Sequence, residues 1–277
     1  MGLGIWYPMG GMNKLADSFR QLAEELGVTI ITNSPVTSIV TEVNKTIGVK
    51  TTEDEYLADI VIANADYHHV ETELLPKAFK PSKNWDKQTM SPSGLLIYLG
   101  IDTKLDKLQH HNMFFDVDWD AHFAEVFGDK KWSKEPLFYV GAPSVTDDSV
   151  APKGHENVFV LAPMASGVDA RQEQIDETVD LVIKRLSRHT GVDLAKHIKV
   201  KHVRAHDYFK QMFNAHQGNA FGPAHTLRQS AIFRTKMQHK QIKNLYFVGQ
   251  YTNPGTGVPL VTLSGKTVAS LIQKEQA

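Results

Sequence analysis

Asn253-Pro254-Gly255-Thr256-Gly257-Val258-Pro259 sets two close glycines and two prolines in seven residues. Just ahead, Leu245-Tyr246-Phe247-Val248 is an apolar run that ends in Gly249-Gln250, and a helical pattern follows Pro259. Glycines let backbone N–H groups approach a ligand, and a helix start adds partial positive charge. Pro259 suits the first helical turn. Such a loop suits an electron-rich edge, for instance a carbonyl oxygen or ring nitrogen of a cofactor. It is not a Walker loop, because no Gly-Lys-Ser/Thr follows. Gly255 and Gly257 match the first two glycines of Gly-x-Gly-x-x-Gly, but Leu260 stands where the third would be. On spacing alone, a tight strand–helix turn explains the segment slightly better. Gly10-Gly11-Met12 is a second glycine-rich loop before a helix, and by itself it reads as a helix start with unusual backbone angles. A third cluster, Gly218-Asn219-Ala220-Phe221-Gly222-Pro223, precedes Arg234. That arginine could meet a carboxylate or phosphate, or make an ordinary surface pair.

Other chemistries find little support. The 277 residues include no cysteine, which excludes disulfides, iron–sulfur clusters, thiolate zinc sites and cysteine nucleophiles. Of the 13 histidines, the pairs His68-His69 and His110-His111 lack metal-site spacing, so no metal is expected. Ser144 and Ser264 lie in no Gly-x-Ser-x-Gly elbow. Asp147-Asp148 before Ser149 reads as a turn or helix cap. The net charge of -1, from 30 basic and 31 acidic residues, argues against a nucleic-acid partner. The longest apolar runs, Gly94–Ile101 and Val258–Leu263, are far short of a bilayer span.

The elements that must position these loops follow from periodicity. Residues 2–11 read as a loop, and Asn13–Glu25 as a helix with Leu15, Phe19, Leu22 and Leu26 at helical spacing. Val28–Ile31 reads as a buried strand. Val36–Val43 and Thr46–Thr51 read as strands joined at Asn44-Lys45. Asp59–Ala63 reads as a fully buried strand. Pro76, Pro81, Ser82 and Pro92 punctuate a crossover into a second domain. There Leu95–Ile101, Leu137–Gly141 and Val158–Ala162 read as strands of one sheet. Glu173–His189 reads as a helix with Ile175, Val179, Val182 and Leu186 on one stripe. Asn244–Gly249 and Pro259–Gln273 close the chain as a strand and a helix. The expected organisation is 1–70 and 206–277 in one domain and 71–205 in another.

Five segments in order then resemble one family. GIWYPMGGMNKLADSFRQLAEELGV, ADIVIANADYHHVETELLP, TDDSVAPKGHENVFVLAP, GNAFGPAHTLRQSAIFR and NLYFVGQYTNPGTGVPLVTLSGKTVAS look like bacterial-type phytoene desaturases and related carotenoid desaturases. The resemblance implies an α/β fold: an incomplete FAD-binding Rossmann-like domain plus a substrate domain with a mainly antiparallel sheet and helices. The family's N-terminal Gly-x-Gly-x-x-Gly segment does not occur in these residues, so the chain resembles the C-terminal portion of a longer enzyme. The implied cofactor is FAD and the implied substrate a long polyene such as phytoene. A missing N-terminal half of the same enzyme is the implied partner. By resemblance, Gly249, Gln250, Pro254, Gly255, Gly257 and Val258 lie against the flavin ring. The Val258 N–H is the expected donor to the flavin's pyrimidine edge. Val36 meets the adenine through its backbone, and Gly10, Gly11 and Met12 line the flavin–substrate junction. Gly265 and Ala269 would let the last helix pack closely under the cofactor. No catalytic base is identified, since Asp66 and His68 read better as a loop after a strand.

A C30 diapophytoene desaturase carries the same motifs. An amine oxidase, a retinol-saturase-like enzyme and a non-catalytic truncated chain are the other readings. The expected location is cytoplasmic, peripheral at the inner face of the cytoplasmic membrane. Trp85, Met113, Phe114, Phe115 and Trp119 are the candidate lipid contacts, with ordinary core as the stronger reading.

Overall fold

The computed structural model describes residue 4 and residues 6–276; Gly2, part of the expected first loop, lies outside the described residues. In chain order the elements are α1 (Asn13–Glu25), β1 (Val36–Glu42), β2 (Lys45–Thr51), β3 (Glu55–Leu57), β4 (Val61–Ala63) and α2 (Tyr67–His69). Next come β5 (Ser93–Ile101), β6 (His111–Phe114), α3 (Trp119–Phe123), β7 (Phe138–Gly141) and β8 (Glu156–Met164). The chain continues with α4 (Gln172–Thr190), α5 (Leu194–His197), β9 (Ile198–Arg204), α6 (His206–Phe213), β10 (Leu245–Phe247) and α7 (Val258–Gln276). Short 3-10 and π turns link several of them. Two compact units result. One holds the segment up to Thr32 together with Gly94–Ala205, and the other holds Asn33–Ser93 and His206 onward.

The first unit is built on a five-stranded sheet in the order β6-β7-β8-β5-β9. The pairs β6–β7, β7–β8 and β5–β9 are antiparallel. Along β8, burial alternates residue by residue, so Val158, Val160, Ala162 and Met164 share the buried face. The α4 stripe Ile175, Val179, Val182 and Leu186 packs into the same core. Each such fully buried side chain contributes about 2 kcal/mol by leaving water. Gly191, at φ 78°, ends α4 in the left-handed conformation. Strands β6 and β9 escape the sequence reading. Both are edge strands of the sheet, and Lys199, Lys201 and His202 break the apolar content of β9.

The helix α1 has the span that the sequence predicts, but its apolar stripe is largely uncovered. Phe19 and Leu22 are exposed, and Leu26 is 75% exposed. The expected strand Val28–Ile31 has no ladder partner among the described residues, and its side chains are exposed. A strand is defined by its neighbour, so apolar content alone does not make one.

In the second unit β1, β2 and β3 form an antiparallel sheet. The register Glu42↔Lys45 puts the hairpin turn at Val43-Asn44, both with positive φ, one residue earlier than expected. The strands β4 and β10 pair in parallel, Val61 with Leu245 through Ala63 with Phe247. This pair and α7 form the Rossmann-like part of the described residues. While β10 is buried throughout, Ile62 in β4 is 49% exposed, so the expected fully buried strand is open on one face. Gly265 likewise faces open space. The core of this unit gathers Tyr67, Val70, Leu74, Trp85, Leu245, Phe247 and Tyr251. Trp85 is thus a core residue, whereas Met113, Phe115 and Trp119 of the first unit are exposed.

Candidate functional site

The loop after β10 is fastened at its base. The Gly249 N–H donates to Ser264 Oγ on α7 at 3.1 Å. Thr252 closes the turn through its N–H and its hydroxyl, both to the Gly249 carbonyl at 3.1 and 3.0 Å. Ser264 and Thr252 are fully buried and hydrogen-bond each other at 2.8 Å. Gly249 has φ 94°, and a Cβ there would lie 2.4 Å from Asn64 Oδ1. Gly255, at φ 127°, would place a Cβ 2.4 Å from His225 Cε1. Gly257, at φ 116°, faces open space. Between them Pro254 follows a cis bond, and the Thr256 hydroxyl donates to the Phe221 carbonyl at 2.6 Å.

The loop delivers the chain into α7. The Val261 N–H donates to the Gly257 carbonyl and closes the first helical turn. The N–H groups of Val258 and Leu260 have no acceptor among the described residues, and Pro259 has no N–H to offer. Val258 itself is 47% exposed. Two free donors thus stand at the positive end of a 19-residue helix, which fits an electron-rich ligand edge.

Gly249 and Gln250 also border a cavity of about 590 Å³. Its lining mixes Phe209, Met212, Phe213 and Val261 with Asn64, Asp66, Asn219 and Tyr251. Asp66 anchors the wall. Its Oδ1 accepts from the His69 N–H at 3.1 Å as the cap of α2, and Oδ2 accepts from the His216 N–H at 3.1 Å. The Tyr251 hydroxyl also donates to Asp66 and accepts from Asn219 Nδ2 at 3.1 Å. Burial, then the Asp66 charge, pushes the Tyr251 hydroxyl far above its ordinary range, so it stays protonated. The His68 ring stacks on His216 at 4.0 Å, and burial holds both imidazoles below their usual values. The sequence places Asp66 and His68 in a loop, and the structure makes Asp66 a helix cap. The sequence gives no role to Asn64, Asn219 or Tyr251, because their partners here lie far along the chain.

The remaining expected residues sit elsewhere. Val36 opens β1, opposite Thr51, and does not line the cavity. Gly10, Gly11 and Met12 belong to the first unit. Both glycines have positive φ, as the unusual helix start requires, and Met12 precedes α1. The Gly10 N–H donates to Asp147 Oδ2 at 2.6 Å. Asp147 also caps the short turn at Asp148–Val150, accepting from the Ser149 N–H at 2.9 Å. The expected cap is therefore there, and the same carboxylate tethers the glycine loop. Bonds from Ser149 and Gly10 hold this carboxylate below its usual value.

The chain is 38% identical over 277 residues to a carotenoid 3,4-desaturase of Haloarcula japonica, covering 99% of this chain and 56% of that protein. It is 33% identical to a zeta-carotene-forming phytoene desaturase of Myxococcus xanthus, covering 97% of this chain and 52% of that protein. A 4,4'-diaponeurosporene oxygenase of Staphylococcus haemolyticus is 32% identical, with 97% and 54% covered. The chain thus spans about half the length of these relatives. Among solved structures, an oxidoreductase from Methanosarcina mazei superposes with a TM-score of 0.61 at 15% identity, covering 96% of this chain and 55% of that one. A putrescine oxidase does so with 0.56 at 14% identity, covering 96% and 53%. These likenesses carry the fold alone. The model of the flavin containing amine oxidoreductases matches residues 1–273, and the chain belongs to that family of flavin oxidoreductases.

Proposed function

We propose that this chain acts as the C-terminal portion of an FAD-dependent carotenoid desaturase that converts phytoene towards lycopene. The observation that carries the reading is the unit from β10 to α7. A glycine loop fastened at its base ends in two unmatched backbone donors beside a cavity with an apolar wall. Carotenoid desaturases among the relatives support a polyene substrate. The 4,4'-diaponeurosporene oxygenase among the relatives keeps a diapocarotenoid as the alternative. Since the chain spans about half of these relatives, we propose that an N-terminal half supplies the phosphate-binding glycines. Open apolar faces at Ile62 and Leu263 support such a neighbour.

Bound FAD would supply the hydride acceptor for a carbon–carbon single bond flanked by alkenes. In this reading the Val258 N–H would donate to the pyrimidine edge, and Gly249, Gln250, Pro254, Gly255 and Gly257 would hold the ring. The Val36 backbone would meet the adenine. A polyene offers no polar handle, so its binding rests on apolar burial. Phe209, Met212 and Phe213 offer such surface. An amine substrate fits less well. Within Gln250–Asn253 only Tyr251 is aromatic, and it is buried with its hydroxyl on Asp66. No helix among the described residues is long and apolar enough to cross a membrane. Exposed Met113, Phe115 and Trp119 support peripheral contact with the inner face of the cytoplasmic membrane.

The test is expression of the gene, with all sequence in frame ahead of Met1, in cells that accumulate phytoene. Loss of phytoene with a gain of more conjugated, coloured carotenoid is expected. Untouched phytoene beside a folded, flavin-loaded protein overturns the assignment.

A further inference from the structure

Three consecutive carbonyls of the loop are held by two neighbouring side chains. Arg234 Nε donates to the Thr252 carbonyl at 3.0 Å, and Arg234 Nη2 donates to the Gln250 carbonyl. Between them the Thr235 hydroxyl donates to the Tyr251 carbonyl. Arg234 is 3% exposed, and Thr235 is equally buried. The returning limb of the loop passes over the same guanidinium. A Cβ on Gly255 would lie 3.7 Å from Arg234 Cζ.

The chemistry of this arginine is unusual for a structural clamp. A guanidinium this deep is costly unless its donors and its charge are matched. Here no carboxylate pairs with it among the described residues, and Nη1 is buried with no acceptor. A second cation, Lys83, lies close enough to feel its charge. The Arg234 charge helps to hold His225 and Lys83 below their ordinary values, after burial, which acts first on both. A buried cation whose known acceptors are loop carbonyls has two consequences. It fixes the loop's shape, and it leaves a field that favours electron density beside the loop.

We infer that Arg234 is the positioning residue of the flavin loop, and that its uncompensated charge favours the reduced cofactor held there. The inference rests on the proposed flavin site. Its shape-setting part can be read without any flavin.

The experiment uses the full-length protein carrying Arg234→Met, Arg234→Lys or Thr235→Val. Amide hydrogen exchange of the flavin-free protein is read first. Arg234→Met is expected to speed exchange across Gln250–Gly257 by about tenfold or more, as loss of charged hydrogen bonds implies. The β7 and β8 amides are expected to keep wild-type rates. Thr235→Val removes one bond and no charge, so it gives a smaller acceleration in a variant sure to keep its buried volume. The midpoint potential of bound FAD is read second. It is expected to fall in Arg234→Met, to recover in Arg234→Lys, and to stay unchanged in Thr235→Val. Wild-type exchange rates in both Arg234→Met and Thr235→Val overturn the positioning role. An unchanged potential in Arg234→Met overturns the electrostatic role. A wild-type protein that binds no flavin overturns the flavin site and leaves the exchange result to judge the clamp.

Discussion

At the scale of single residues, the loop is defined by what its glycines exclude. Gly249 and Gly257 both take positive φ, but only Gly249 has an atom in the space a Cβ would fill. Ala at Gly257 therefore meets only backbone strain, about 1–2 kcal/mol. Gly249→Ala adds the overlap with Asn64, and about 3 kcal/mol is expected in all. Urea unfolding of the two variants checks this. Equal midpoints would mean that Asn64 yields freely and does not shape the loop. The sequence displays these glycines openly, because a glycine between a strand and a helix carries its own backbone signal. It marks Arg234 and Asp147 but not their true partners, and it is silent on Thr235, because the bonds that matter run to carbonyls or N–H groups 16 to 137 positions away.

Elements are legible where one face settles them. The stripe of α4 and the alternation of β8 are written in residue type, and each is buried as its period demands. Val28–Ile31 shows the limit, since a ladder partner cannot be read from one strand. The edge of the large sheet shows another. Asp116, just beyond β6, is tied to α4 by Arg185 Nε at 3.2 Å and His189 Nε2 at 2.8 Å. Arg185 is buried, and its bonds to Asp116 hold that carboxyl well below the usual carboxylate range. The folded-state value is depressed, so the unfolded chain binds the proton more tightly. The stabilisation is complete above the unfolded value of about 4 and fades as pH falls towards the folded one. Asp116→Asn leaves Arg185 buried without its countercharge, and about 3 kcal/mol of stability at pH 7 should be lost. The variant should also lose less stability than wild type on acidification below about pH 4. Thermal unfolding across that range checks both. Parallel pH profiles would show that the pair does not couple to folding.

At the scale of the molecule, family and fold were legible because five motifs occur in order along the chain, and the match over residues 1–273 agrees. What the sequence hides is the economy of the surface. Apolar content at Leu26, Ile62 and Leu263 reads as core, yet these side chains are exposed among the described residues. In the desaturase account, another part of the enzyme covers them. The family includes amine oxidases by its description, whereas the relatives above carry carotenoid names. Substrate class is therefore the central claim. The most direct measurement is anaerobic absorption spectroscopy of the full-length, FAD-loaded protein, mixed in turn with phytoene in lipid vesicles and with a primary amine. The account predicts that phytoene bleaches the oxidised flavin band while its own absorption moves to longer wavelength, and that the amine changes neither. Bleaching by the amine, with phytoene inert, would contradict it.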